Sequence, residues 1–168
     1  MTIDYPPPAT NRAELIERIR EARASLAALL SPLVVEQIIR PLDDNGWSIR
    51  DHLAHLSAWS GKALAIIQDR PAYQGLGLIS PPSDPRDYDS INALLHARDL
   101  SLSLDEVVAR WGERDGEVLA ALMLASDRDL RRPTLPGEPD GPSVLAAVAN
   151  NTYEHYIEHE AWIRRNLA

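Results

Sequence analysis

Cysteine is absent from this 168-residue chain. Its absence excludes disulfide bonds, thiolate metal ligands and a cysteine nucleophile. A metal ion bound by the chain would therefore be held by histidine, a carboxylate or water. Because a protein without disulfides suits a reducing compartment, we expect a cytoplasmic location.

Positive charge and long apolar runs are also scarce. The chain has 17 lysine and arginine residues against 25 aspartate and glutamate residues, and its formal net charge is −8. We see no basic stripe that could neutralise phosphates, so we expect no nucleic-acid partner. No apolar run approaches the ~18 residues that a membrane span needs, and the proline-rich start, 1–8, is unlike a signal peptide. We therefore expect no membrane partner.

Strand signals are missing too, since no stretch shows sustained β alternation bounded by hairpin turns. Apolar residues recur instead at helical spacing in four segments. The segments run from about Asn11 to Leu30, from Ser48 to Gln68, from Ser103 to Ala125 and from Ser143 to Asn166. The sequence predicts an all-α fold: one domain over 1–168, a four-helix bundle preceded by an extended segment, 1–10.

Capping boxes mark the predicted starts of three helices. Asn11 with Glu14, Ser48 with Asp51, and Ser103 with Glu106 have the required spacing of three residues. The third helix is predicted to bury a stripe along one side. This stripe contains Leu104, Val107, Val108, Trp111, Val118, Leu119 and Leu122.

A long connection, 69–102, separates the second and third helices. Its first part contains four prolines, and its second part, 88–98, is compatible with a short helix. A link of this length can cross the bundle, so we predict a crossover between helices 2 and 3. Loops this long usually have a function, which makes Tyr73, Tyr88 and Asn92 candidates for lining a pocket.

Histidines occupy inward-facing positions in two of the predicted helices. His155 and His159 are one turn apart and project from one face, and His55 lies on the apolar side of the second helix. A buried imidazole without a partner costs roughly a few kcal/mol, and one cation can satisfy several imidazoles. Three imidazoles with open positions are typical of a divalent metal site. We therefore predict that His55, His155 and His159 bind a metal ion.

Other interpretations of the histidine pair stay open. Histidines four residues apart also occur on helix surfaces, where they bond to carboxylates such as Glu154. The stretch 155–159 also matches the pattern HxxEH, in which the glutamate is a general base. Glu158 is thus the candidate catalytic residue. The alternative interpretation is that Glu158 is an ordinary exposed carboxylate on the helix surface.

Residues near the three histidines are candidates for supporting roles. Trp59 and Trp162 follow the histidines by about one turn, so they are predicted to wall the pocket. Asp51 precedes His55 by four residues and either caps its helix or orients the imidazole. His52 is expected to be half exposed, and His96 is expected to be a solvated residue without a role.

Longer stretches resemble a known family. The segments WSIRDHLAHLSAW (47–59) and NTYEHYIEHEAWI (151–163) resemble the second and fourth helices of the DinB/YfiT-like four-helix-bundle superfamily. The segment YDSINALLHARDL (88–100) resembles the crossover of its ClbS/DfsB-like branch. The resemblance implies metal ligation by His55, His155 and His159, with zinc, nickel or another divalent ion. It also implies the long crossover and a homodimer.

The resemblance leaves three functions open. The first is a metal-dependent transferase or hydrolase that acts on a small electrophilic metabolite, with water or a low-molecular-weight thiol as nucleophile. Because the chain lacks cysteine, such a thiol would come from a cofactor such as mycothiol or bacillithiol. The second is a metal-free protein of the ClbS/DfsB type that binds a small molecule and protects the cell. The third is a structural dimeric bundle without activity.

Overall fold

The computed structural model describes residues 3–42, 46–135 and 140–167, and these residues contain helices and no β-strand. The helices are α1 (Arg12–Leu30), α2 (Val35–Ile39), α3 (Ile49–Ile67), α4 (Ala72–Gly75), α5 (Tyr88–Asp99), α6 (Leu104–Leu124), α7 (Asp127–Arg131), α8 (Val144–Asn151) and α9 (Tyr153–Leu167). Within this part of the chain, no helix combines the length and the apolar character that a membrane crossing requires.

Four long helical units form the bundle: α1, α3, α6 and the consecutive pair α8 and α9. Helix α3 packs against α6 and α8, and α1 packs against α9. Their inner faces share one core, which includes Leu15, Ile19, Leu53, Leu56, Val107, Val118, Leu122, Val148 and Ile163. The prediction of an all-α four-helix bundle with a crossover is confirmed.

Helix starts follow the predicted caps, with one difference at α1. Ser48 and Asp51 form a reciprocal box at α3, and Ser103 and Glu106 form one at α6. At α1, Asn11 Oδ1 accepts from the Glu14 amide at 3.0 Å, but the Glu14 carboxylate accepts from the Thr10 amide at 2.8 Å. The prediction of a box closed within Asn11 and Glu14 was therefore wrong in its second half.

The predicted stripe of α6 needs one correction. Val107, Trp111, Val118 and Leu122 are buried, whereas Val108 is 46% exposed. One residue turns the helix by about 100°, so a side chain directly after a buried one points toward the rim of the apolar face. The prediction that Val108 is buried was wrong for this reason.

The fourth predicted helix is not continuous, because it breaks at Thr152. The backbone there has φ −129° and ψ −101°, outside the helical region. Thr152 Oγ1 donates to Val148 O at 2.6 Å, and Asn151 Nδ2 donates to Ala147 O at 2.6 Å. Side chains that bond to the carbonyl one turn back are known to bend helices. The break separates α8 from α9, and α9 carries both His155 and His159.

The crossover packs tightly onto α3. Two glycines meet face to face: a Cβ atom added to Gly61 would lie 2.3 Å from Gly75 O. Glycine is needed here because any side chain would push α4 away from α3. Helix α5 then adds a second, smaller core formed by Ala58, Trp59, Leu76, Ile91 and Leu95.

A buried polar network joins α1, α3, α6 and α9. The Tyr156 hydroxyl donates to Asp115 Oδ1, and Arg23 Nε donates to the other oxygen of the same carboxylate. Since the Tyr156 proton is used, Ser60 Oγ donates to the Tyr156 oxygen at 2.8 Å. Tyr156 is fully buried and Asp115 is 3% exposed. Each member is therefore satisfied within the protein, which such a network requires.

Replacing Tyr156 by phenylalanine removes the hydroxyl and leaves a buried carboxylate oxygen without its donor. We expect Tyr156→Phe to lower the free energy of unfolding by about 1–3 kcal/mol, measured by urea denaturation. Tyr88→Phe is the matched control, because Tyr88 is 52% exposed. Equal stability of the two variants would contradict the network.

Candidate metal centre

Three histidine side chains meet between α3 and α9. His55 Nε2 lies 3.0 Å from His155 Nε2, which in turn lies 3.0 Å from His159 Nε2. All three ligand atoms lie within 4.8 Å of one another. The i, i+4 spacing places His155 and His159 on one face of α9, and the packing of the bundle brings His55 to them.

Burial keeps these imidazoles neutral. Desolvation, followed by the charge of neighbouring histidines, holds the pKa of His55 and of His159 well below the ordinary value. Desolvation, followed by the charges of His52 and Lys62, lowers the pKa of His155 to about 4. Neutral imidazoles have the lone pairs that metal binding requires, so no proton has to leave at neutral pH.

The donor set fits a divalent ion. Histidine nitrogens bind zinc at about 2.1 Å, so two ligands of one ion lie about 3.0–3.5 Å from each other. His155 Nε2 lies 3.0 Å from both His55 Nε2 and His159 Nε2. Because one ring nitrogen has either one proton or one lone pair, hydrogen bonding alone cannot account for both contacts. A cation would use the lone pairs of all three rings together. The residues present therefore suit zinc or nickel.

His52 lies directly behind this site. Its Nδ1 is 2.7 Å from His159 Nδ1, and its ring packs on Trp162 with centroids 4.1 Å apart. Because His159 uses Nδ1 in this contact, its Nε2 is left to face His155, as in the outer shells of many metal sites. His52 is only 6% exposed, so the expectation of a half-exposed residue was wrong.

His96 and Asp51 also lie differently from the expectations. The His96 ring stacks on Trp47 with centroids 4.7 Å apart, and His96 Nε2 is 3.8 Å from Asp51 Oδ1. The expectation of a solvated His96 was therefore wrong. Asp51 serves as the α3 cap and also pairs with Arg50, while no bond from its carboxylate to His55 is present in the described residues.

A pocket of about 210 Å³ opens beside the three histidines. Its lining residues are His55, Trp59, Lys62, Tyr88, Asn92, Asn150, Asn151, His155 and Glu158. Trp59, Tyr88 and Asn92, three of the candidate substrate-pocket residues, line this cavity. Trp162 and Tyr73 are not among its lining residues, and the Trp162 ring packs against His52.

Glu158 lies at the rim of the pocket. Its side chain is exposed, and Glu158 Oε1 accepts a hydrogen bond from the Tyr5 hydroxyl at 2.5 Å. Burial, with added contributions from this bond and from nearby carboxylates, raises the pKa of Tyr5 to about 12. The N-terminal segment is thus tied to the rim next to the histidines.

Lys62 and Asn151 are pocket residues that the sequence reasoning missed. Lys62 follows His55 by seven residues, two helical turns, and therefore shares its face. Asn151 precedes His155 by four residues. Both spacings are visible in the sequence, although the break at Thr152 is not.

Comparison with known proteins identifies the fold. Residues 18–163 match the DinB superfamily. An uncharacterised protein from Clostridium difficile 630 is 18% identical with a TM-score of 0.74, and the match covers 95% of this chain and 96% of that chain. At these identities, the likeness to solved structures shows the fold alone. No protein with a curated description matches the sequence.

ClbS and DfsB are among the structural neighbours, in agreement with the branch that the sequence resembles. The colibactin self-resistance protein ClbS, solved in complex with a dsDNA, is 15% identical with a TM-score of 0.73, and the match covers 94% of this chain and 95% of that chain. The Sibling Lethal Factor Precursor DfsB is 16% identical with a TM-score of 0.73, and the coverage is again 94% and 95%.

The ClbS complex overturns one expectation. We excluded nucleic acid as a partner from the net charge of −8, yet a protein of the same fold is in complex with dsDNA. Net charge sums over the whole surface and does not report where the cations lie. The exclusion was therefore wrong.

The contact between His52 and His159 can be tested by stability. Replacing His52 by leucine removes the partner of a buried ring nitrogen, so we expect the free energy of unfolding to fall by about 1–3 kcal/mol. Urea denaturation in the presence of a chelator measures the effect without metal. His52→Gln, which keeps a polar group, should lose less. A change below about 0.5 kcal/mol would be the behaviour of a surface residue and would contradict the contact.

Proposed function

Because the chain belongs to the DinB superfamily, we propose that it is a divalent-metal-dependent enzyme, a transferase or hydrolase that acts on a small electrophilic molecule. The observation that carries the proposal is the meeting of three histidine nitrogens at the wall of a pocket. In this proposal, His55, His155 and His159 hold zinc or nickel. Such an ion, when bound, lowers the pKa of water or of an external thiol and supplies a nucleophile at neutral pH.

The chain's own residues would set up the reaction. The three neutral imidazoles of His55, His155 and His159 would leave the charge of a bound ion uncompensated and would leave coordination positions for water or substrate. Trp59 and Tyr88, with ring centroids 5.7 Å apart, form an apolar wall that would position the substrate and exclude water from one side. Because the chain has no cysteine, a thiol nucleophile would come from a cofactor such as mycothiol or bacillithiol.

Glu158 is the candidate for moving a proton. Glu158 lies in α9, directly before His159, and its exposed side chain lines the rim of the pocket. A carboxylate at the rim can accept a proton from an incoming water or thiol while it remains in contact with solvent. The bond from the Tyr5 hydroxyl would orient it.

A second function is favoured by one of the structural neighbours. ClbS is described as a colibactin self-resistance protein, and its fold is that of this chain. In this alternative, the same pocket would bind a reactive small molecule without a metal ion and protect the cell. Protection that saturates at one molecule per chain would support binding, whereas repeated turnover would support the enzyme.

Removal of one ligand tests the metal site. We expect protein purified without a polyhistidine tag to contain about one equivalent of divalent metal by elemental analysis, and His155→Ala to lose it. The metal-loaded wild type should also lose thermal stability when a chelator is added, because binding to the folded state stabilises it.

His96→Asn is the matched control for this experiment, since His96 lies outside the three-histidine set and stacks on Trp47. It should keep its metal. A metal-free wild type whose stability does not respond to chelator would refute the metal-dependent enzyme and leave the binding protein.

Glu158→Gln tests the proton-transfer role. With a substrate found by screening thiol transfer and hydrolysis, we expect turnover to fall by about 10²- to 10⁴-fold while the metal content stays unchanged. Tyr5→Phe, which removes only the hydrogen bond to Glu158, should lower turnover much less. Unchanged turnover in Glu158→Gln would contradict the proton-transfer role and leave Glu158 with a structural role, its hydrogen bond with Tyr5 of the N-terminal segment.

A further inference from the structure

Lys62 is the only lysine of the chain, and the other 16 of its 17 lysine and arginine residues are arginine. It is half-buried in α3 and lines the pocket beside His55 and His155. The one primary amine that a lysine contributes to this protein therefore lies next to the candidate metal centre.

The cation of Lys62 is held by aromatic rings. Its Nζ is 4.3 Å from the ring centroid of Trp59 and 5.6 Å from that of Tyr88. Within the described residues, no carboxylate lies within ion-pair distance of it, in contrast to arginines such as Arg114, which pairs with Glu117 at 2.7 Å. The pocket thus presents a partly desolvated positive charge, and the carboxylate in its lining, Glu158, lies at the rim and is not paired with Lys62 in the described residues.

Asn92 adds a second donor on the same side of the pocket. Trp59 Nε1 donates to Asn92 Oδ1 at 3.1 Å, and an indole nitrogen can only donate. This contact fixes the orientation of the amide, and no other described residue bonds to the NH2 group of Asn92, which can therefore serve a ligand. Asn151 also lines the pocket; its Nδ2 donates to Ala147 O, and its side-chain oxygen has no donor among the described residues.

We propose that Lys62 and Asn92 are specificity residues that bind an anionic oxygen group, a carboxylate or a phosphate, of the molecule that reacts at the histidine site. The proposal rests on the proposed function, because it assigns the substrate class of that same pocket. The rings of Trp59 and Tyr88 would contact a flat apolar part of the ligand next to its anionic group.

Charge supports the assignment. Desolvation lowers the pKa of Lys62, since burial disfavours the ammonium form. A bound anion would favour the ammonium form of Lys62 and so oppose the effect of burial. The charge-assisted hydrogen bond between them would be stronger in this partly desolvated pocket than in water.

Isothermal calorimetry with small probes tests the proposal on the zinc-loaded protein. The probes are phenylacetate, phenylphosphonate and the neutral analogue phenylacetamide. We expect the wild type to bind at least one anion about tenfold or more tightly than the amide, and the stronger of the two identifies the carboxylate or phosphate class. On the metal-free protein, where no zinc ion can attract the anion, Lys62→Met should reduce this preference to about threefold or less, whereas Lys62→Arg should keep most of it.

Controls separate Lys62 from the metal ion and from general charge. A zinc ion would itself attract an anion, so His155→Ala, which lacks a ligand of the ion, should still prefer the anion through Lys62. Arg86→Met removes an exposed charge of the crossover and should leave the preference unchanged. Lys62→Gln provides a second variant if Lys62→Met does not fold, as judged by circular dichroism.

The outcomes are distinct for the two proposals. An equal affinity of the wild type for anion and amide, or a preference that survives in Lys62→Met on the metal-free protein, would overturn the role of Lys62. Failure of the wild type to take up zinc would refute the metal-dependent enzyme, and the anion preference would then be measured on the metal-free protein.

Discussion

The burial of several neutral imidazoles between α3 and α9 is the constraint on which the site depends. His55 and His155 must approach within 3.0 Å, although each ring would be well hydrated in the unfolded chain. The desolvation cost is offset only where the rings bond to one another, or to an ion, in a fixed geometry. The bundle therefore has to hold α3 and α9 in a defined register.

Two features of the fold maintain that register. The network of Asp115, Tyr156 and Ser60 ties α9 to α3 and α6, and Tyr156 is the immediate neighbour of His155. The break at Thr152 lets α8 pack on α3 while α9 packs on α1. A single straight helix over the same residues would have to pack on α3 and on α1 without changing direction.

The crossover turns the histidine cluster into one wall of a pocket. The close contact of Gly61 with Gly75 brings α4 onto α3, and α5 then adds Tyr88 and Asn92 to the pocket that His155 lines. Trp59 belongs to the small core under the crossover and also bonds to Asn92. The same residues thus stabilise the crossover and shape the cavity, and a pocket of this kind is compatible with either a reaction or simple binding.

Local rules already determine much of this protein from its sequence. Apolar spacing predicts the bundle, the capping boxes locate the starts of α3 and α6, and the i, i+4 spacing places His155 and His159 on one face. Tertiary packing alone decides the burial of His52 and His96, the break at Thr152, and the contact of Lys62 with two rings from α3 and α5. The packing of His52 and His96 and the contact of Lys62 with Tyr88 depend on residues far apart in the chain, whereas the bonds at Thr152 are local but do not show in the apolar pattern. A helical pattern gives the face of a residue without giving the neighbour that covers it.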